Sequence, residues 1–197
     1  MAADGLDTGS GGVTEPAWRA FVERVAQSLD IGPGTSVFEV GCRSGSFLYP
    51  LAENDYLVGG LGASSAEIHA ATSAMPSGRW MVGEACALDP GEPWDVVVAY
   101  GAFARFPDLD YARGILARMA AKAAHAVAIL DVPDMETRDE ALALRRGPPD
   151  PATRLFYDRR WMLHALAEIG ASAVQIEDQR IEGSANARFC FNVFAML

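Results

Sequence analysis

Metal-binding and redox residues are scarce in this chain. Its 197 residues include three cysteines, Cys42, Cys86 and Cys190, in no CxxC pairing, and three histidines, His69, His125 and His164, without metal-ligand spacing. Scattered thiols in odd number argue against a disulfide framework and against a zinc site. They fit small buried residues of a protein in a reducing cytoplasm. No apolar run approaches the ~20 residues that cross a bilayer. Basic residues are also few, 16 Lys and Arg against 26 Asp and Glu, for a formal net charge of −10. An acidic surface repels phosphate backbones and anionic membranes, so neither nucleic acid nor membrane is expected as a partner, and a small molecule is. A GxSxG turn is missing too, and no Cys/His pair supports a hydrolase.

What is present is an alternation of helical and strand-like segments, the pattern of a mostly parallel sheet with helices on both faces. Residues Met1 to Thr14, rich in Gly, Ala and Asp, lack the basic flank and apolar segment of a signal peptide. They are expected to form a flexible tail ahead of a single domain over residues 15–197. Pro16 to Leu29 carries Trp18, Phe21, Val22, Val25 and Leu29 at helical spacing, and Gly32-Pro33-Gly34 stops it. Strands are expected at Thr35 to Val40, Tyr56 to Leu61, Arg79 to Val82, Trp94 to Ala99 and Ala126 to Val132. Helices follow Ser64 or Ser65, Asp108 and Asp134, the last running to Arg146 before a rigid loop at 147–151. An amphipathic helix is expected over Tyr157 to Ile169. Two closing strands, near Ala173 to Ile181 and Arg188 to Met196, can pair antiparallel. Closing strands at a sheet edge leave the chain as a monomer or a homodimer.

The informative segment is Val37-Phe-Glu-Val-Gly-Cys-Arg-Ser-Gly-Ser46. A tight turn from strand to helix places backbone N–H groups at the carboxyl edge of a sheet, where ligands of Rossmann-like folds sit. Alone, a glycine loop fits nucleotides, flavins or no ligand. The segments downstream narrow the choice. Val82-Gly-Glu-Ala85, Trp94-Asp-Val-Val-Val with Phe103 to Asp108, and Asn186 to Val193 follow in order.

Together these segments resemble the class I S-adenosylmethionine-dependent methyltransferases, over roughly Trp18 to the C-terminus. The resemblance implies a Rossmann-like doubly wound sheet, mostly parallel with an antiparallel C-terminal strand, and S-adenosylmethionine as cofactor. It implies that Glu39 and Gly41 hold the methionine end, with Gly45 in the same cofactor loop, that Glu84 meets the adenine amine, and that Ala85 makes a backbone contact to the ring. Methyl transfer would take place beside Ala99 to Phe103. The strand-end candidates beside it are Tyr100, Arg105, Asp131 and Asp134: Tyr100 to orient an acceptor, Arg105 to pair with an anionic substrate, and Asp131, after an apolar strand, or Asp134 to serve as a base. Bland readings stand beside each of these. Glu39 can cap N–H groups of its own loop, Glu84 can be a solvated loop residue, Tyr100 a packed aromatic, Arg105 a surface charge and Asp131 a helix cap.

Two positions depart from the family's pattern. Arg43 stands where a glycine is usual, and its side chain must either point away or cross the cofactor's amino-acid portion. Gly62 stands where an acidic residue grips the ribose hydroxyls. A small-molecule methyltransferase of specialised metabolism is therefore one reading. A repurposed fold that does not transfer methyl groups, such as a cyclase, an isomerase or a non-catalytic partner protein, is the other.

Overall fold

The structure, a computed structural model, describes residues 12–144 and 154–197. Helix α1 (Glu15–Ser28) starts where the Thr14 hydroxyl accepts a hydrogen bond from the Ala17 N–H at 3.3 Å, with Pro16 in the first turn. It buries the stripe Trp18, Phe21, Val22, Val25 and Ala26. Strand β1 (Ser36–Val40) leads through the glycine turn to the short α2 (Leu48–Ala52), then β2 (Leu57–Gly62), α3 (Ser65–Ala74) and β3 (Arg79–Val82). The second half runs β4 (Trp94–Tyr100), α4 (Leu109–Lys122), β5 (Ala123–Pro133), α5 (Arg138–Ala143), α6 (Arg159–Glu168), β6 (Ala173–Asp178) and β7 (Cys190–Met196).

The described strands form one seven-stranded sheet in the order β3-β2-β1-β4-β5-β7-β6. The pairs from β3 to β5 are parallel, and β7 inserts antiparallel between β5 and β6. Alternation along each strand divides the core into two layers. Val96 and Val98 of β4 and Ala126, Ala128 and Leu130 of β5 pack with Trp18 and Phe21 of α1. Val97 and Ala99 with Val127 and Ile129 pack under α4 and α6. Strand β4, covered on both faces, has residues Val96 to Ala99 fully buried. Burying each such valine contributes about 1.5–3 kcal/mol. The strand order reverses between β1 and β4, and a crevice opens beyond their carboxyl ends.

Three expectations need correction. The tail does not extend to Thr14: Val13 is buried in the core and Thr14 caps α1, while residues 1–11 lie outside the described residues. The helix expected from Asp134 is a 3-10 turn, Met135–Thr137, followed by α5. Arg145, Arg146 and the loop 147–151 lie outside the described residues. Helix α6 starts at Arg159, because the Asp158 carboxylate caps the Arg160 N–H at 2.6 Å and Tyr157 is spent on a bridge to Asp134. Its buried stripe is Met162, Ala165 and Leu166, which leaves Leu163 facing solvent. Among the described residues no helix is long and apolar enough to cross a membrane.

Candidate functional site

A cavity of about 730 Å³ lies at the strand-order reversal. Glu39, Gly41, Arg43, Gly62, Glu84, Ala85, Tyr100 and Asp131 all line it, so the structure brings together eight of the positions singled out in the sequence. Gly45 is an exception. A Cβ there would meet Met75 Cε at 2.6 Å and Trp80 at 3.4 Å, so this glycine makes room for α3 packing rather than for a ligand.

The glycine turn forms the near wall. Gly41 (φ 78°), Arg43 (φ 51°) and Gly45 (φ 80°) all adopt left-handed backbone. A Cβ on Gly41 would also come within 2.8 Å of Ala102 Cβ. The turn is fastened from outside by Trp18, whose Nε1 donates to the Ser46 carbonyl at 2.8 Å. Glu39, the penultimate residue of β1, is buried at 2% exposure where this turn begins. A carboxylate in that place suits a cationic ligand group, since charge buried with an opposite charge avoids the cost of isolation.

Arg43 reaches across to α3. Its Nε reaches Glu67 Oε1 in the first turn of α3 at 3.4 Å, so the side chain runs toward the β2–α3 side of the cavity. Ser64 and Glu67 have the capping-box spacing, and the Ser64 hydroxyl accepts from the Glu67 N–H at 3.3 Å. The Glu67 carboxylate turns to Arg43 rather than back to its own helix end. Gly62 ends β2 without a side chain, 3.4 Å by its would-be Cβ from the Arg43 amide nitrogen. Beyond it, Gly83 donates to the Gly62 carbonyl at 2.9 Å and aligns Glu84 and Ala85 along the same wall. Glu84 is solvent-exposed there.

The far end is built differently. Tyr100, the last residue of β4, packs edge-on to Trp18 at 5.0 Å and stacks on Phe47 at 6.3 Å between centroids. Burial and the neighbouring Asp131 charge push its phenol well above the usual range, so it stays protonated. Asp131 occupies a β-bulge. Ile129 pairs with Val193 and Val132 with Phe191, so two residues of β5 face Asn192 alone. Asp131 takes φ 58°, its N–H donates to Asn192 Oδ1 at 3.1 Å, and Gln179 Nε2 donates to its Oδ1 at 3.1 Å. Its Oδ2 lies over Gly101. Desolvation raises the Asp131 carboxyl above the ordinary carboxylate range, while Arg154, Cys190 and Gln179 pull it down.

Several contributors escaped the sequence reading. Glu67 stands in the first turn of a helix, and Arg154, Gln179, Cys190 and Asn192 carry no local chemical motif. Tyr111 and Phe106, 5.1 Å apart, line the cavity beside Ala85. Other expectations are corrected. Asp134 does not reach the cavity: it is buried, capping Glu136 N–H and paired with Arg159. Arg159 in turn bridges Asp134 and Asp178, each at 2.7 Å, and lies over the Phe191 ring. Cys86 is exposed, unlike buried Cys42 and Cys190. Among the described residues no cluster could hold a metal ion.

No family model and no curated protein matches the chain in sequence. Solved structures do match. An amino pentose methyltransferase from Micromonospora echinaspora, involved in calicheamicin biosynthesis and solved with S-adenosylmethionine bound, superposes with a TM-score of 0.73. It is 17% identical, over 100% of this chain and 95% of that one. Magnesium protoporphyrin IX methyltransferase from Synechocystis, bound to S-adenosylhomocysteine, gives a TM-score of 0.69. Its identity is 18%, over 99% of this chain and 97% of that one. The fold is that of the class I S-adenosylmethionine-dependent methyltransferases. A further example is the Streptomyces venezuelae protein DesVI, with a TM-score of 0.71, 14% identity and 92% coverage of both chains. In this methyltransferase fold the cavity occupies the crevice at the strand-order reversal, the usual ligand position of open α/β sheets.

Proposed function

We propose that this protein binds S-adenosylmethionine and transfers its methyl group to a small-molecule acceptor. One observation carries the reading: a single cavity unites the buried Glu39 and the bare Gly41 turn with Tyr100 and Asp131. The residues present fit the cofactor. Four carboxylates (Glu39, Glu67, Glu84 and Asp131) line the cavity against three arginines (Arg43, Arg105 and Arg154), which suits a ligand carrying an ammonium and a sulfonium. Glu39 and the backbone at Gly41 would hold the methionine end, and Glu84 and Ala85 the adenine. Gly62 supplies no carboxylate for the ribose.

S-Adenosylmethionine supplies a methyl group already activated on sulfur, so the protein's task is alignment of a nucleophile and removal of its proton. Asp131, held above the ordinary carboxylate range yet ionised once the pH exceeds it, accepts the proton from an acceptor O–H or N–H. Tyr100, protonated and fixed by Trp18 and Phe47, orients the acceptor through its hydroxyl. Two arginines beside the far end and an overall charge of −10 favour a small soluble acceptor over nucleic acid. The calicheamicin relative supports an acceptor from specialised metabolism.

Calorimetry with S-adenosylhomocysteine tests the reading. Saturable binding below millimolar concentration is expected, and no heat at millimolar concentration overturns it. Gly62 favours a second reading, a methyltransferase fold that does another reaction. Tight binding of S-adenosylmethionine without turnover of any acceptor would select it.

A further inference from the structure

The far end of the cavity holds a guanidinium that, among the described residues, has no carboxylate paired to it. Arg154 lines the cavity between the Asp131 bulge and the loop after β4. Its Nη2 donates to Cys190 Sγ at 3.3 Å, and its Nε is buried with no hydrogen-bond partner. Among the described residues it forms no ion pair with a carboxylate. Asp131 feels its charge, but Cys190 hydrogen-bonds to both and stands between them. Thiol sulfur is a weak acceptor, and a guanidinium offers five N–H donors in a fixed fork. A part-buried cation left with a sulfur alone costs free energy that an external anion would recover.

The charge balance says which anion fits. Arg154 contributes one positive charge and Asp131, beyond the thiol, one negative. A dianion such as a phosphate would meet net repulsion from the carboxylate, whereas a planar monoanion matches the fork bidentately. Gln179 holds the Asp131 Oδ1, and the Oδ2 lies over Gly101, which lines the same cavity. We propose that Arg154 anchors a carboxylate of the methyl acceptor, so that the acceptor is a carboxylic acid whose nucleophilic O–H or N–H faces Asp131. The assignment of an acceptor rests on the methyl-transfer reading; the anion site rests on Arg154 alone.

The full chain, first titrated with S-adenosylhomocysteine and then loaded with it, is titrated calorimetrically with benzoate, phenylpropionate, benzamide and inorganic phosphate. The carboxylates are expected to bind at least about tenfold more tightly than the amide. Arg154→Gln is expected to abolish that preference and Arg154→Lys to keep part of it. If Arg154→Gln fails to fold, the 15N-labelled arginine Nε signal of Arg154 in the wild type carries the test, shifting with benzoate and not with benzamide. Equal binding of benzoate and benzamide, binding of neither, a preference for phosphate, or a preference that survives in folded Arg154→Gln overturns the proposal. Carboxylate preference without S-adenosylhomocysteine binding leaves the anion site standing and removes the methyl-transfer reading. The reverse result removes only the anion site.

Discussion

The two ends of the cavity are made by different means. The end formed by β1, β2 and α3 comes from short consecutive stretches, residues 39–46 and 61–67, and beyond the buried Glu39 its charged pair is open to water: Arg43 is 45% exposed and Glu67 31%. The end formed by β4, β5 and β7 collects Tyr100, Asp131, Arg154, Gln179, Cys190 and Asn192 from positions far apart in the chain. There the polar groups are shielded from solvent and hold one another. The Arg43–Glu67 pair at the first end is screened, so replacing one of its members shifts free energy little. At the second end each group is fixed by another, so removing one leaves its partner desolvated.

The sharpest way to break the comparison is Asp131→Asn. As the proton acceptor of the proposed reaction, Asp131 should account for roughly a hundred- to ten-thousandfold of kcat. S-Adenosylhomocysteine affinity should hold within about threefold, because Asp131 lies at the other end. Steady-state turnover beside calorimetry separates these effects, and an equal loss in both would mean that the bulge shapes the whole cavity. The wild-type pH profile gives an independent check. Desolvation raises this carboxyl, so kcat/KM should climb with pH through a limb above the ordinary carboxylate pKa of about 3.9. The limb should vanish in the variant. Linkage has a definite sign here: a raised folded-state pKa gives stability that is full below the unfolded value and is lost as pH rises through the folded one. Asp131→Asn should therefore flatten the melting temperature across that window.

A change of intermediate size should sharpen the first end. Gly62→Asp places a carboxylate where β2 opens into the cavity. Its Cβ would lie 3.2 Å from Ile68 Cδ1 and 3.4 Å from the Arg43 amide nitrogen. The isoleucine tip can yield by a few tenths of an ångström, so the cost in folding should stay below about 1 kcal/mol. Charged hydrogen bonds to ribose hydroxyls are worth about 1.5–3 kcal/mol, which predicts roughly ten- to a hundredfold tighter S-adenosylhomocysteine binding. Unchanged affinity in a folded variant would show that Gly62 is not beside a ribose.

This contrast also explains what the sequence could and could not reveal. The strands and the sheet class were legible because segments such as Trp94 to Ala99 are short, mostly apolar runs, and because the glycine turn follows β1 directly. Glu39, Gly41 and Gly62 were legible because a strand-to-turn junction fixes where each must lie. Gly45 misled because spacing alone does not say whether a missing Cβ accommodates a ligand or Met75. Asp131 could be placed at a strand end, but nothing local announced the bulge, which depends on Asn192 arriving 61 residues later. Arg154 had no signal at all. It follows a proline-rich stretch without periodicity, and only the approach of β7 brings Cys190 to it.

The smallest expected effect belongs to Arg43, the residue whose presence in the turn most invites suspicion. Its left-handed backbone costs about 1 kcal/mol relative to glycine. Against that stands an exposed ion pair with Glu67, worth about 0.2–1 kcal/mol. The two nearly cancel, so Arg43→Gly should move the unfolding free energy by less than about 1 kcal/mol. Because the Arg43 Nε pairs with Glu67 on the α3 side of the cavity, S-adenosylhomocysteine affinity should change by no more than about threefold. Denaturant unfolding and calorimetry on the same preparation measure both. A gain of tenfold or more in affinity would instead place the guanidinium against the cofactor, and would make Arg43 the element that holds this end of the cavity shut.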